Sequence, residues 1–221
     1  MDGRDELELT ILDYNYSSWS MRAGVLLRAT GLPFRELCYS LDAERGRMEQ
    51  LSPSGLVPLL RHGTLKVWDS LAIAEYLAEL CAEQALWPRS REARAVARAA
   101  SAEMHSGFMP LRGALPMNIR AHFVQAPRTP EVERNIKRIK ALWTELREQF
   151  GQSGPYLCGD FGIVDAMFVP VVMRFRSYAV KLDGVCEAYA QAVLAHPATR
   201  SWLEAAARET TRIQAYEYTT D

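Results

Sequence analysis

Cysteine is scarce in this chain. Among 221 residues only Cys38, Cys81, Cys158 and Cys186 occur, widely scattered and with no Cys-x-x-Cys pair. That spacing argues against a metal or redox pair, and a reduced, cytoplasmic protein is the simplest reading. An excess of one charge is lacking too: 26 basic side chains stand against 27 acidic ones, a net charge of −1. Nothing therefore favours nucleic acid or an anionic membrane as a partner. No apolar run approaches the roughly 20 residues that a membrane span needs. The opening residues Met1 to Glu6 are polar and acidic, without the apolar segment of a signal peptide. Internal repeats and low-complexity tracts are missing, and beyond Arg91 there is no convincing strand. What is present is a hydrophobic fraction of 48%, enough for a core in one large or two small domains.

The two halves differ in texture. Residues 7–13 (Leu-Glu-Leu-Thr-Ile-Leu-Asp) predict a strand, and 18–30 a helix that Gly31 stops, with Pro33 following. Phe34 to Tyr39 reads as a second strand and 43–51 as a short polar helix. Leu59-Leu60-Arg61 and Lys66-Val67-Trp68 flank His62-Gly63-Thr64, the pattern of a hairpin. Residues 70–80 give another helix. The order β-α-β-α-β-β-α is that of a small α/β layer domain. Residues 82–90, with Pro88, read as a linker. Helices are expected over 91–118, 131–150, 164–178, 184–195 and 198–208, and the tail from Tyr216 as a loose or surface-packed end.

Three local features carry chemistry. Val57-Pro58 precedes a short apolar strand, where a Pro can hold a cis bond and leave the Val57 backbone to pair with an incoming peptide. Asp69-Ser70 opens an amphipathic helix; a hydroxyl and unpaired N–H groups aimed at one point suit a carboxylate, although a helix cap worth about 1 kcal/mol accounts for the same pair. Ser17 stands before the first helix, where capping is the commonest task of a Ser.

This order of elements, with Val-Pro before the third strand and a helical second half, resembles the cytosolic glutathione transferases over essentially the whole chain. Ser17-Ser18-Trp19-Ser20-Met21-Arg22 is similar to the Ser-x-x-x-x-Arg pattern of the serine-type classes, zeta and tau. Asp69-Ser70 matches the family's acid-Ser pair, and 159–165 (Gly-Asp-Phe-Gly-Ile-Val-Asp) its helix-capping motif. The resemblance implies a thioredoxin-like α/β N-terminal domain (1–82) that binds glutathione and an all-α C-terminal domain (91–221) that forms the electrophile pocket. It implies a homodimer, with glutathione as co-substrate and no metal.

By the same resemblance Ser17 is the catalytic residue, donating a hydrogen bond to the glutathione sulfur. Ser18, Ser20, Tyr14 and Tyr16 are its competitors. Free thiols have a pKa near 8.5, so lowering it by about two units takes roughly 2.7 kcal/mol of differential stabilisation, which a hydroxyl donor and a helix N-terminus favour. Val57 would pair with the cysteinyl backbone beside a cis Pro58. Ser70 would take the γ-glutamyl carboxylate, and Asp69 the ammonium or the orientation of the turn. Asp165 belongs to folding.

Candidate pocket walls are Trp19, Phe108, Arg112 and Arg174, with Met109, Leu111, Met117, Phe168, Met173 and Tyr178 as further possibilities. Arg174 and Arg176, two apart in an apolar helix, point in different directions; an Arg at the pocket would suit an anionic electrophile. The sequence departs from the family pattern at Leu56, where relatives carry a Lys or Gln for the glycyl carboxylate and where Arg47, Gln50 or His62 would have to compensate. It departs again at Gly162, in place of Ser or Thr, and at Trp19, where zeta enzymes have Cys. His105 could serve as a base or contact a partner subunit, but a lone His on a helix is more often a hydrogen-bonded structural residue and is left out of the site. The rival functions are a glutathione-dependent isomerase of the maleylacetoacetate type and a non-catalytic binding module.

Overall fold

A computed structural model describes residues 6–40, 48–124 and 126–217. Residues 43–47 of the expected 43–51 helix, Arg47 among them, lie outside the described residues, as does the end of the tail.

Strand β1 (Leu7–Leu12) sits at the centre of a mixed sheet of order β2-β1-β3-β4. It runs parallel to β2 (Phe34–Tyr39) and antiparallel to β3 (Leu59–His62), which forms a hairpin with β4 (Leu65–Trp68). Five of the six β1 residues are buried, as expected of a strand covered on both faces. Between the strands lie α1 (Ser18–Thr30), the short α2 (Met48–Leu51) and, after β4, α3 (Ser70–Leu80). Gly31 ends α1 in the left-handed conformation, φ 71°, with its N–H on the Arg28 carbonyl.

From Arg91 onward the described residues form helices: α4 (Arg91–Ser106), α5 (Met109–Ala114), α6 (Pro130–Phe150), α7 (Ile163–Ser177), α8 (Gly184–Ala195) and α9 (Pro197–Arg208). The α/β layer with an all-helical half is thus the expected architecture. The single helix expected over 91–118 is instead two. Gly107 ends α4 and Phe108 turns into the left-handed region, φ 59°, before Pro110 opens α5. A side chain at 107 would sit 2.6 Å from the Glu103 carbonyl, so the close turn requires glycine.

One continuous core joins the halves. Helix α1 is its hub, packed on β1, α3, α7 and α9. Gly24 permits this approach: a Cβ there would lie 2.1 Å from the Trp202 ring on α9. Because α1 is gripped on so many sides, its N-terminus is held firmly at the seam between the halves. At α7, Asp165 is fully buried and accepts from Leu157 N–H at 3.0 Å and from Gly162 N–H at 2.9 Å, half of a capping box. Gly162 is explained by the linker: Ile163 N–H donates to the Leu86 carbonyl at 2.9 Å, and a Cβ on 162 would stand 2.5 Å from that same oxygen. A carbonyl has taken the place of the capping hydroxyl.

Candidate functional site

A cavity of about 530 Å³ opens where the N-terminus of α1, the segment before β3, α5 and α7 converge. Ser17, Ser18, Trp19, Val57, Arg112 and Arg174 all line it, as do Leu56, Met109 and Met117. Phe108, expected on this wall, is instead packed in the core, because the turn at Gly107 directs it inward. Leu111, Phe168, Met173 and Tyr178 are likewise core residues.

The loop that carries Ser17 is tied down from the far end of the chain. Glu209 accepts from the Tyr14 and Asn15 N–H groups at 2.7 and 2.8 Å. Asn15 in turn donates to Asn118 at 2.8 Å, and the Tyr16 hydroxyl donates to Glu217 at 2.6 Å. Of the two expectations for the tail, loose or surface-packed, the described part is packed, with Tyr216 on the cavity wall. Ser17 is the N-cap of α1. Its hydroxyl donates to Ser20 Oγ at 2.7 Å, and Ser20 Oγ also accepts from Leu12 N–H at 3.2 Å. Ser18 Oγ accepts from Arg174 at 3.2 Å. Tyr14 faces away, donating to Glu36 and meeting Trp202 edge-on. Burial and the Glu36 carboxylate push its phenol up, the wrong direction for activating a thiol.

Arg112 and Arg174 stand on the wall from the helical side, and Arg22 of α1 lies behind Trp19. Trp19 carries two guanidiniums, Arg22 and Arg112, each with its central carbon 4.4 Å from the ring centroid. Such contacts stabilise a cation by about 1–2 kcal/mol. Arg112 also donates to the His105 carbonyl at 3.1 Å. Arg174, only 4% exposed, donates to the carbonyls of Leu115 and Pro170 at 2.9 and 3.3 Å as well as to Ser18. Arg176 points to solvent. Burial first, and then repulsion from Arg112, draws Arg174 down to about 10. Burial, followed by Arg112 and Arg174, draws Arg22 down to about 9, with Asp69 opposing. Like charges crowded into a half-desolvated wall favour the arrival of an anion.

The Val57–Pro58 bond is cis and Val57 reaches the cavity. Asp69, not Ser70, is the N-cap of α3: its Oδ1 accepts from Leu71 and Ala72 N–H at 2.8 and 3.4 Å, with φ 74°. Ser70, the first helical residue, is 1% exposed and its hydroxyl has no partner. Arg22 Nε and Nη1 and His105 Nδ1 are also buried without partners. His105 lies against Trp19 and places Nε2 3.3 Å from Asp69 Oδ2. Asp69 thus stands behind Trp19 with His105 between them, and neither it nor Ser70 lines the cavity. Of the residues proposed to compensate at Leu56, His62 is bonded to Tyr76 at 2.7 Å and Gln50 is exposed outside the cavity.

Sequence reasoning did not find the parts played here by Arg22 and His105. Arg22 was visible only as a register mark, and His105 had no motif around it. No group of three His, Cys, Asp or Glu residues suited to a metal occurs among the described residues. No helix among them is long and apolar enough to cross a membrane.

Comparison with known proteins gives one family for both halves. Residues 16–80 match the model of the glutathione S-transferase N-terminal domain, and residues 129–205 that of the C-terminal domain. Glutathione S-transferase 1 of Dianthus caryophyllus is 28% identical over 178 residues, 78% of this chain and 80% of that protein. Maleylacetoacetate isomerase of Rattus norvegicus is 26% identical over 180 residues, 78% and 81% of the two chains. A solved glutathione transferase homolog from Burkholderia gl BGR1, with bound glutathione, superposes with a TM-score of 0.72 at 25% identity, covering 92% of this chain and all of that one.

Proposed function

Because the chain belongs to the glutathione S-transferase family, we propose that it is a glutathione transferase that activates the thiol of glutathione for attack on an anionic electrophile. The observation that carries the reading is the convergence of Ser17, Val57, Arg112 and Arg174 on one cavity. In this reading the α/β half, 1–82, binds glutathione. Val57, beside Pro58, pairs with the cysteinyl backbone, while Ser70 and Asp69 hold the γ-glutamyl carboxylate and ammonium.

Ser17 is the proposed catalytic donor. Its proton is given to Ser20 Oγ, whose own proton is not fixed by the Leu12 N–H. When a sulfur arrives, Ser20 can turn its hydroxyl toward Ser17, and Ser17 can donate to the sulfur. The thiolate is favoured by that bond, by the N-terminus of α1 and by the guanidiniums opposite. Holding both reactants in one cavity supplies proximity.

The helical half, 91–221, provides two of Trp19's partners, Arg112 and His105, and the second pocket, with Phe108 behind it. Arg112 and Arg174 are suited to a carboxylate or other oxyanion on the electrophile. The same cations favour a second reading, reversible thiolate addition that isomerises a dicarboxylate, which product analysis separates from conjugation. Exposed Leu65 and Trp68 on β4, Leu80 on α3 and Val96 on α4 suit a homodimer in the cytoplasm, where the four free thiols would stay reduced.

The test is an ultraviolet titration of the bound glutathione thiolate against pH, in wild type and Ser17→Ala. A thiolate pKa about two units below the free thiol's, raised again in the mutant, is expected. A lowered pKa that ignores the mutation moves the role to Ser18, and absence of glutathione binding overturns the reading.

A further inference from the structure

His105 lies on the last turn of α4, in the helical half, yet its Nε2 reaches across to Asp69 at the start of α3, 3.3 Å from Oδ2. The Asp69 carboxylate is divided between two tasks. Oδ1 caps α3 through Leu71 and Ala72 N–H. Oδ2 faces the imidazole. The side chain is 42% exposed, so without a second anchor its outer oxygen would be free to turn in solvent. His105 stands within reach to supply that anchor and is itself braced: its ring stands edge-on to Trp19, centroids 5.2 Å apart at 82°, and Arg112 holds its carbonyl.

The charges facing the imidazole are Asp69, Arg22 and Arg112. Burial lowers its pKa from the ordinary imidazole value, Asp69 raises it, and the two guanidiniums lower it further, with a net fall. Near neutrality the ring is therefore uncharged. A neutral imidazole has one N–H, and the neighbouring carboxylate selects the tautomer that carries it on Nε2. Nδ1 is then a bare lone pair, buried and without a partner.

We propose that His105 is a positioning residue for glutathione, donating from Nε2 to Asp69 so that the carboxylate is aimed at the γ-glutamyl ammonium. This rests on the glutathione reading above. The neutral donor leaves the full charge of Asp69 for the ammonium. An imidazolium would cancel part of that charge and add a third cation beside Arg22 and Arg112. Affinity for glutathione should consequently fall only on the acid side of the ordinary imidazole value, where this ring takes up its proton while an α-amino group stays protonated and a carboxylate stays ionised.

The experiment measures the Kd of glutathione by calorimetry between pH 5.5 and 8, with kcat and KM at pH 7.5, for wild type, His105→Leu and His105→Gln. Leu removes the donor; Gln keeps an N–H that does not titrate. The expected result for Leu is a Kd and a KM for glutathione raised about five- to tenfold, the effect of one charge-assisted hydrogen bond, with kcat at saturation within about twofold. Gln should hold the neutral-pH Kd within about threefold and flatten its rise toward acid. Wild-type binding that matches Leu, or a Gln variant that keeps the acid rise, overturns the role of His105 alone. Wild type that binds no glutathione overturns the glutathione reading and this proposal with it. If His105→Leu fails to fold, the pH profile of Gln still decides.

Discussion

Helices α3 and α7 both start beside a buried or half-buried acid, and the two starts are finished to different degrees. At α7 the acid is fully engaged: Asp165 takes two N–H groups and the Leu86 carbonyl takes a third. At α3, Asp69 caps the helix, but the Ser70 hydroxyl beneath it has nothing to bond. Nine buried side-chain atoms without partners occur among the described residues, and four of them belong to Ser70, Arg22 and His105 around this one corner. An unsatisfied buried polar group costs about 1–3 kcal/mol. On the proposed reading, the open groups at α3 are the ones that a bound ligand satisfies.

The comparison breaks most visibly at α7. Replacing Asp165 by Ala would strand the Leu157 and Gly162 N–H groups in the core, and a loss of about 3 kcal/mol in unfolding free energy is expected. Asp165→Asn, which keeps one acceptor oxygen, should lose about half of that. Burial pushes the Asp165 carboxyl up to about 6, so the amide also removes a charge that the core tolerates poorly. Denaturant titration measures the loss, and glutathione affinity of the folded fraction should not change. A variant that keeps its stability and loses its ligand would reverse the assignment of this acid to folding.

At α3 the effect should appear in binding instead. Ser70→Ala removes a hydroxyl with no partner in the protein, so stability should hold within about 0.5 kcal/mol or rise slightly. Glutathione affinity should drop about tenfold, the share of one hydrogen bond to a carboxylate. Paired melting and calorimetric titrations give both numbers. Lost stability with intact affinity would mean that the hydroxyl serves α3 itself.

How far this contrast could be read from the sequence follows from where each part lies. The strands and α1 were legible because their ends carry their own punctuation: Gly31 after α1, and Gly63, φ 58°, in the β3–β4 turn. Ser17, Val57-Pro58 and Asp69-Ser70 were legible for the same reason, since each stands at the end of an element where residue type has local meaning. The break at Gly107–Phe108 was missed although Gly107 and Pro110 stand there, because strong helix formers run on both sides. That miss put Phe108 on the wrong wall. The stack of Arg112 on Trp19, and the reach of His105 to Asp69, come from packing α1, α3, α4 and α5 together, and no short window contains them. Arg22 meets Trp19 from the next turn of α1.

The smallest effect separates two histidines of the same kind. Burial lowers the pKa of both His105 and His196. In each case the unfolded chain takes up its proton first as pH falls, so the stability of the neutral form is complete above about 6.5 and declines below it until the folded form protonates as well. Their second nitrogens differ. His196 Nδ1 accepts the Ala198 N–H at 3.2 Å at the start of α9, and its ring stacks on Phe161 with centroids 4.0 Å apart. Protonation there takes the lone pair from a helix cap. His105 Nδ1 accepts nothing, so protonation breaks no bond. His196→Ser keeps a capping oxygen that does not titrate, and should flatten the acid decline in melting temperature while leaving the pH dependence of glutathione binding intact. His105→Gln should do the reverse, changing the binding profile more than the melting profile. If His196→Ser keeps the full acid decline, the cap at α9 is not what acid weakens. If both variants alter the same profile, the division between finished and unfinished polar groups does not hold for these two rings.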